Sequence, residues 1–87
     1  MPKFRKKPAV IEAVQFTYPP STECLIFCGE GLRNVRPGAV GTAEITTIHG
    51  ETAIVRERDW IAAEPVPGRF YPIKPDIFEA TYERVED

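Results

Sequence analysis

The sequence predicts an α+β fold, built from a small antiparallel sheet of about four to six strands and two short helices. Three observations support this prediction. Segments rich in Val, Ile and Thr alternate with turn residues along the chain, which is typical of antiparallel strands. A short helical pattern follows the first segment, and another follows the last. Because 87 residues suit one domain, we expect a single domain over residues 1–87.

The first half of the chain is predicted to hold a strand and a helix. Residues 9–16 are rich in Val, Ile and Ala without a turn residue, which predicts a strand buried on both faces. Prolines at 19 and 20 end it, and Ser21 or Thr22 can cap a short helix that ends at Gly29. The apolar positions expected on one face of this helix are Cys24, Leu25 and Cys28.

The second half of the chain is predicted to hold the remaining strands. Val, Ile and Thr on both sides of His49-Gly50-Glu51 predict a β-hairpin, with glycine supplying a positive φ. A Pro-Val-Pro-Gly turn at 65–68 then leads the chain into the last strand. The predicted strands cover residues 32–35, 43–48, 52–56, 60–62 and 69–71.

The segment from Gly68 to Glu83 predicts a strand that turns sharply into a C-terminal helix. Lys74 precedes a proline and is therefore biased toward extended backbone. Asp76, followed three positions later by Glu79, is a capping-box pattern. We expect this stiff bend to present three side chains, those of Arg69, Tyr71 and Lys74.

Charge is distributed unevenly along the chain. The formal net charge of −2 and a pI of about 5.4 argue against binding to duplex nucleic acid. Residues 1–8 carry a basic cluster, which we interpret as an arm that is either solvated or ligand-facing. Acidic residues concentrate at the other end of the chain, from Asp76 to Asp87.

Hydropathy and chain length bear on the location of the protein and on its oligomeric state. No apolar run approaches the roughly 20 residues that a bilayer requires, and there is no secretory leader pattern. We therefore expect no membrane partner and a location in the cytoplasm of the cell that makes the protein, with Cys24 and Cys28 reduced and buried. Because so short a chain builds a small core, we also expect homo-oligomerisation.

The residue types that common catalytic and metal sites need are scarce. The chain has one serine and one histidine, and Ser21 is better explained as a helix cap and His49 as an exposed turn residue. The two cysteines lack the second ligand pair typical of zinc sites. Glu12 is better explained as a satisfied core carboxylate than as an acid with a shifted pKa. We expect no enzyme activity, metal or cofactor.

Aromatic and basic residues together predict a ligand site. Aromatic faces stack on nucleobases, and arginine or lysine neutralises phosphates. Taken singly, Trp60 is more typical of a core residue, whereas Tyr71 and Lys74 beside prolines fit either role. The predicted ligand-binding residues are Arg5, Lys6, Gln15, Trp60, Arg69, Tyr71 and Lys74.

Three sequence motifs stand out along the chain: the KFRKKP run that leads into VIEA and Gln15, the central Asp59-Trp60-Ile61, and the segment FYPIKPDIFEATYE at residues 70–83. Together they resemble the motifs of a family of small bacteriophage and prophage proteins. Family members usually read Pro-Gly-Asp-Trp-Ile, whereas Glu57-Arg58 precedes Asp59 here. The resemblance implies a phage context and a host-cytoplasm location, and it implies no mechanism.

Small phage proteins without catalytic groups are often accessories that blunt a host defence. By this analogy we expect a non-enzymatic protein that sequesters a small nucleotide-derived ligand, such as a defence signal. The alternative is a protein–protein inhibitor of a host defence, or another phage accessory, that acts through the acidic surface of residues 77–83.

Overall fold

The computed structural model describes residues 2–3 and 10–83, and it confirms the α+β fold. The basic cluster at residues 4–8, with Arg5 and Lys6, lies outside the described residues. The strands are β1 (Ala13–Gln15), β2 (Arg33–Arg36), β3 (Thr42–Thr46), β4 (Thr52–Arg56), β5 (Trp60–Ala63) and β6 (Phe70–Ile73). The helices are α1 (Thr22–Cys28), which a 3₁₀ turn follows at Gly29–Gly31, and α2 (Pro75–Thr81).

The six strands form two antiparallel sheets of three strands each. The first sheet has the order β1-β5-β6 and the second has the order β2-β3-β4. Residues that stand directly opposite each other on neighbouring strands lie on the same face of the sheet. Each sheet therefore has one face that packs toward the core. The inward side chains form one core with α1: Val14, Phe16, Ile61 and Phe70 from the first sheet, Ala43, Ile45 and Val55 from the second, and Cys24 and Cys28 from the helix.

Helix α1 begins and ends where the sequence predicts. The Ser21 hydroxyl accepts a hydrogen bond from the Cys24 amide at 3.1 Å, and Gly29 follows the helix with a φ of 54°. Cys24 and Cys28 are buried as expected. Leu25 is an exception, because its side chain is 50% exposed instead of sharing their face.

The first strand is shorter than the composition suggests. Only residues 13–15 form β1, although backbone hydrogen bonds from the Ala63 amide to the Glu12 carbonyl and from the Phe16 amide to the Asp59 carbonyl continue its pairing. One of its faces is buried and the other is partly open. The expectation of a strand buried on both faces was wrong, because the antiparallel partner β5 and the core cover Val14 alone among its three residues.

The hairpin of β3 and β4 is regular, whereas β2 is not. Gly50 has the predicted positive φ of 81°, and the pairing runs from Thr42 opposite Arg56 to Thr46 opposite Thr52. Along β2 the register shifts, with Arg33 opposite Glu44 and Arg36 opposite Thr42. Three steps on β2 therefore match two on β3, which defines a β-bulge.

The turn between β4 and β5 is held by backbone and side-chain hydrogen bonds. Asp59 is 6% exposed, and its Oδ2 accepts from the Arg56 amide at 3.1 Å. The Arg58 amide donates to the Phe16 carbonyl at 2.8 Å while Arg58 keeps a φ of 78°. A residue other than glycine therefore occupies a left-handed backbone position.

Helix α2 starts two residues earlier than the capping-box pattern predicts. Lys74 is the N-cap residue, Pro75 occupies the first turn, and no side chain caps the helix. The predicted capping box of Asp76 and Glu79 was wrong, because proline fixes the first helical φ and lacks the amide that a cap would satisfy. The predicted change from strand to helix at Lys74 is confirmed.

Candidate functional site

A groove of about 470 Å³ lies at the end of the first sheet where β5 runs out. Its volume is within the range that small-molecule sites occupy. Three separate parts of the chain build it: the segment before β1, the end of β5 with the turn that follows, and β6. The residues that line it are Val10, Ile11, Glu12, Ala63, Glu64, Pro65 and Tyr71.

Tyr71 is the aromatic side chain in this groove, and β6 fixes its position. It stands opposite Ala62, on the face of the first sheet that points away from the core. Tyr71 is partly buried, and its hydroxyl neighbours that of Tyr82, which follows α2. The pKa of Tyr71 is raised above its ordinary value, mainly by burial and to a smaller extent by the neighbouring Tyr82 and Glu64. The phenol therefore stays protonated at neutral pH.

Two carboxylates provide the charge in the groove. Glu12 is exposed and Glu64 is partly exposed, and both belong to the lining. The interpretation of Glu12 as a satisfied core carboxylate was wrong, because β1 begins only after it and leaves its side chain in solvent. Ionised carboxylates accept hydrogen bonds and repel phosphate. The groove thus suits a ligand part that carries N–H or O–H donors.

Trp60 lies on the same outward face of the first sheet, but its ring is packed. The rings of Trp60 and Phe78 of α2 stack, with their centroids 4.1 Å apart and an angle of 9° between their planes. The ring centroid of Tyr82 lies 5.2 Å from that of Phe78. Gln15, opposite Trp60, donates from Nε2 to the Arg58 carbonyl at 2.9 Å. Trp60 and Gln15 therefore hold α2 and the β4–β5 turn in place, and neither lines the groove.

The basic side chains predicted for the site go to different places. Arg69 donates from Nη1 to the Thr47 carbonyl at 3.4 Å, which ties β6 to the hairpin of the second sheet. Lys74 is exposed at the start of α2, three residues after Tyr71 and thus about 10 Å along the strand. Arg5 and Lys6 lie outside the described residues. Of the seven predicted residues, the structure places Tyr71 in the groove.

The sequence reasoning missed the two segments that form the walls of the groove. Residues 10–12 belong to the predicted buried strand 9–16, and residues 63–65 connect the predicted strand 60–62 to the turn that follows it. The available signal was a pair of glutamates, Glu12 within one apolar segment and Glu64 directly after another, which become neighbours through the pairing of β1 with β5. That pairing joins residues about 50 positions apart in the chain.

The two cysteines form a buried pair inside the core. Burial raises the pKa of the Cys24 thiol, against a smaller opposing effect of its hydrogen bond with Cys28. The pKa of Cys28 is raised to about 12, mainly by burial and to a smaller extent by the charge and hydrogen bond of Cys24. Since thiolates are the reactive form of cysteine, both side chains act as packing groups at neutral pH.

The residues considered for metal and hydroxyl chemistry are apart in the structure. Ser21 caps α1, and His49 is exposed in the hairpin turn. Within residues 2–3 and 10–83, no group of three or more His, Cys, Asp and Glu side chains is placed to hold a metal ion. In the same part of the chain, neither helix is long and apolar enough to cross a membrane.

Comparisons of this chain with protein-family models, with curated proteins and with solved structures find no match.

Proposed function

We propose that this protein is a phage-encoded, non-enzymatic accessory that binds and sequesters a small nucleotide-derived ligand, which serves the host as a defence signal. The observation that supports the proposal is the groove beside Tyr71, where an aromatic side chain meets an apolar wall and two hydrogen-bond acceptors. Small-molecule sites typically combine an apolar lining with a few convergent polar groups.

The groove favours the base and sugar of such a ligand over its phosphates. A nucleobase packs against Tyr71 and the apolar wall of Val10, Ile11 and Pro65. Glu12 and Glu64 accept hydrogen bonds from base amino groups or ribose hydroxyls. The phosphates lie outside the groove, away from both carboxylates, where the exposed Lys74 neutralises one of them.

Calorimetry with purified protein and a panel of cyclic oligonucleotides and ADP-ribose derivatives tests this proposal. We expect heat of binding from at least one compound. Tyr71→Ala should weaken that binding by about 1–3 kcal/mol, as loss of a stacked aromatic does, and Tyr71→Phe should retain most of it. Lys74→Ala should weaken it by a similar amount at low salt and by less at high salt.

Charge-neutral variants separate the groove from the rest of the surface. Glu12→Gln and Glu64→Gln should each change the affinity, whereas the matched Glu44→Gln on the second sheet should not. Mass spectrometry of small molecules released from protein purified out of infected cells would identify the ligand. A silent panel together with empty purified protein would rule out the proposed function.

A further inference from the structure

The outer side of the second sheet is an open surface on which arginines gather. Opposite the core, two of its three strands present arginines, which are Arg33 and Arg36 from β2 and Arg56 from β4. We call this side the arginine face, and its other members are Thr42, Glu44, Thr46, Thr52 and Ile54. Arg33, Arg36 and Arg56 are exposed, and Ile54 is 54% exposed between them.

The β-bulge in β2 is what places two of these arginines on one side. In a regular strand, residues three apart point to opposite faces. Here Arg33 pairs with Glu44 and Arg36 with Thr42, and those two partners share a face of β3. Asn34 within the bulge has a φ of 51°, a conformation that asparagine tolerates better than most residues. The bulge thus turns Arg36 outward, beside Arg33.

The opposite end of the molecule carries the complementary surface. Helix α2 packs Phe78 against Trp60 on the outward face of the first sheet, so the molecule is layered as α2, first sheet, core and second sheet. The side of α2 away from Trp60 is exposed and acidic, with Asp76, Glu79 and the following Glu83 around the small Ala80. Ile77, at its margin, is 55% exposed.

These two surfaces match in charge, in apolar content and in size. The arginine face combines three guanidinium groups and one carboxylate with the exposed Ile54. The surface of α2 combines two carboxylates of the helix and that of the following Glu83 with the exposed Ile77. A helix of seven residues is about 10 Å long, which equals the width of three strands about 4.8 Å apart. We propose that the arginine face binds helix α2 of a second copy of this chain.

This association is heterologous, because it joins opposite ends of the molecule and leaves one copy of each surface free. Such contacts produce rings or open chains according to the rotation between neighbours. Single-stranded nucleic acid fits the arginine face less well, because Glu44 sits among the arginines and the face carries no aromatic platform. The proposal does not depend on the ligand groove, which other residues line.

Charge reversal on each surface, followed by mixing, tests the proposal directly. Arg36→Glu/Arg56→Glu makes both surfaces acidic, and Glu79→Arg/Glu83→Arg makes both basic. By sedimentation velocity, the wild-type protein should form larger species as its concentration rises, and each variant alone should stay monomeric. An equimolar mixture of the two variants should regain the larger species, because each reversed surface now finds an opposite one.

The salt dependence and a control variant complete the test. Raising salt from about 0.1 M to about 1 M shortens the Debye length from about 10 Å to about 3 Å, so the wild-type association should weaken. Glu23→Arg/Glu30→Arg, which reverses two exposed acids near α1, should associate as the wild type does. Circular dichroism should show all variants folded.

Three outcomes would overturn the proposal. They are a wild-type protein that stays monomeric up to its solubility limit, association that both charge-reversed variants retain, and a mixture that remains monomeric. Tight binding of a single-stranded oligonucleotide that Arg36→Glu/Arg56→Glu abolishes, with no self-association, would assign the arginine face to nucleic acid instead.

Discussion

Replacing Gly41 with alanine is expected to destabilise the protein strongly, although the change adds one methyl group. Gly41 is buried just before β3, and its carbonyl accepts a hydrogen bond from the Glu57 amide at 2.9 Å. A Cβ at this position would lie 2.5 Å from Cβ and 2.7 Å from Cγ of Tyr18. Such contacts are far inside ordinary van der Waals distance, which is about 3.5–4.0 Å for carbon atoms.

The magnitude follows from which atoms collide. Overpacking a well-filled site costs about 1–3 kcal/mol, and a rotatable side chain would lower that cost by moving. The Cβ of Tyr18 cannot move by rotation about χ1, so the backbone of residue 18 or 41 has to shift. We therefore expect a loss of about 3 kcal/mol in the free energy of unfolding. For a chain of this size, that corresponds to a fall in Tm of about 12–24 °C.

Urea unfolding followed by the fluorescence of Trp60, the only tryptophan, measures this loss. Gly38→Ala is the matched control, because Gly38 is exposed and its nearest contacts would be at 3.4 and 3.9 Å to backbone atoms of Val40. That variant should stay within about 0.5 kcal/mol of the wild type. In a Tyr18→Gly background, which removes the colliding atoms, Gly41→Ala should cost much less. Equal stabilities of Gly41→Ala and Gly38→Ala would refute the steric reasoning.

Three further predictions concern the β4–β5 turn and the core. Arg58→Gly should raise the free energy of unfolding by about 0.5–1 kcal/mol. The positive φ of 78° strains a side chain with a Cβ, and relief of this strain outweighs the extra chain entropy that glycine loses on folding. An unchanged or lower urea midpoint would contradict this. Asp59→Ala should cost about 1.5–3 kcal/mol through loss of the charged acceptor for the Arg56 amide, and Asp59→Asn should cost less in the same assay. Folding raises the pKa of the Cys28 thiol from about 9 to about 12. Between these two pH values only the unfolded chain loses the proton, so the free energy of unfolding falls as the pH rises through this window. The decline above pH 9 should be shallower in Cys28→Ala, and identical slopes would show that the buried thiol is not its source.

The local features of the fold were predictable because each depends on a few neighbouring residues. The Ser21 cap, the Gly50 turn and the change from strand to helix at Lys74 follow from backbone sterics and short hydrogen bonds within four or five positions. Prediction failed where a distant partner decides the outcome. Leu25 is exposed because the core contacts Cys24, Phe27 and Cys28 on α1 instead. The missing capping box of α2 is a local exception, because Pro75 occupies the first turn of the helix.

The candidate site shows the same division. Tyr71 could be named from its place in a stiff aromatic segment, because that stiffness is local. The walls of the groove could not, since Glu12 and Glu64 meet only after β1 has paired with β5. Trp60 was also predicted to bind ligand, although taken singly it was more typical of a core residue, and its ring is covered by Phe78 in a contact between β5 and α2.

The sequence by itself determined the order and rough positions of the helices and strands, the uneven charge and the absence of a long apolar segment, because these are properties of short windows and of composition. The tertiary structure alone decided that the strands divide into two sheets, that a bulge turns Arg36 beside Arg33, and that a groove opens next to Tyr71. Each of these depends on pairing between residues far apart in the chain, and such pairing is set by the packing of the whole core and not by local preference.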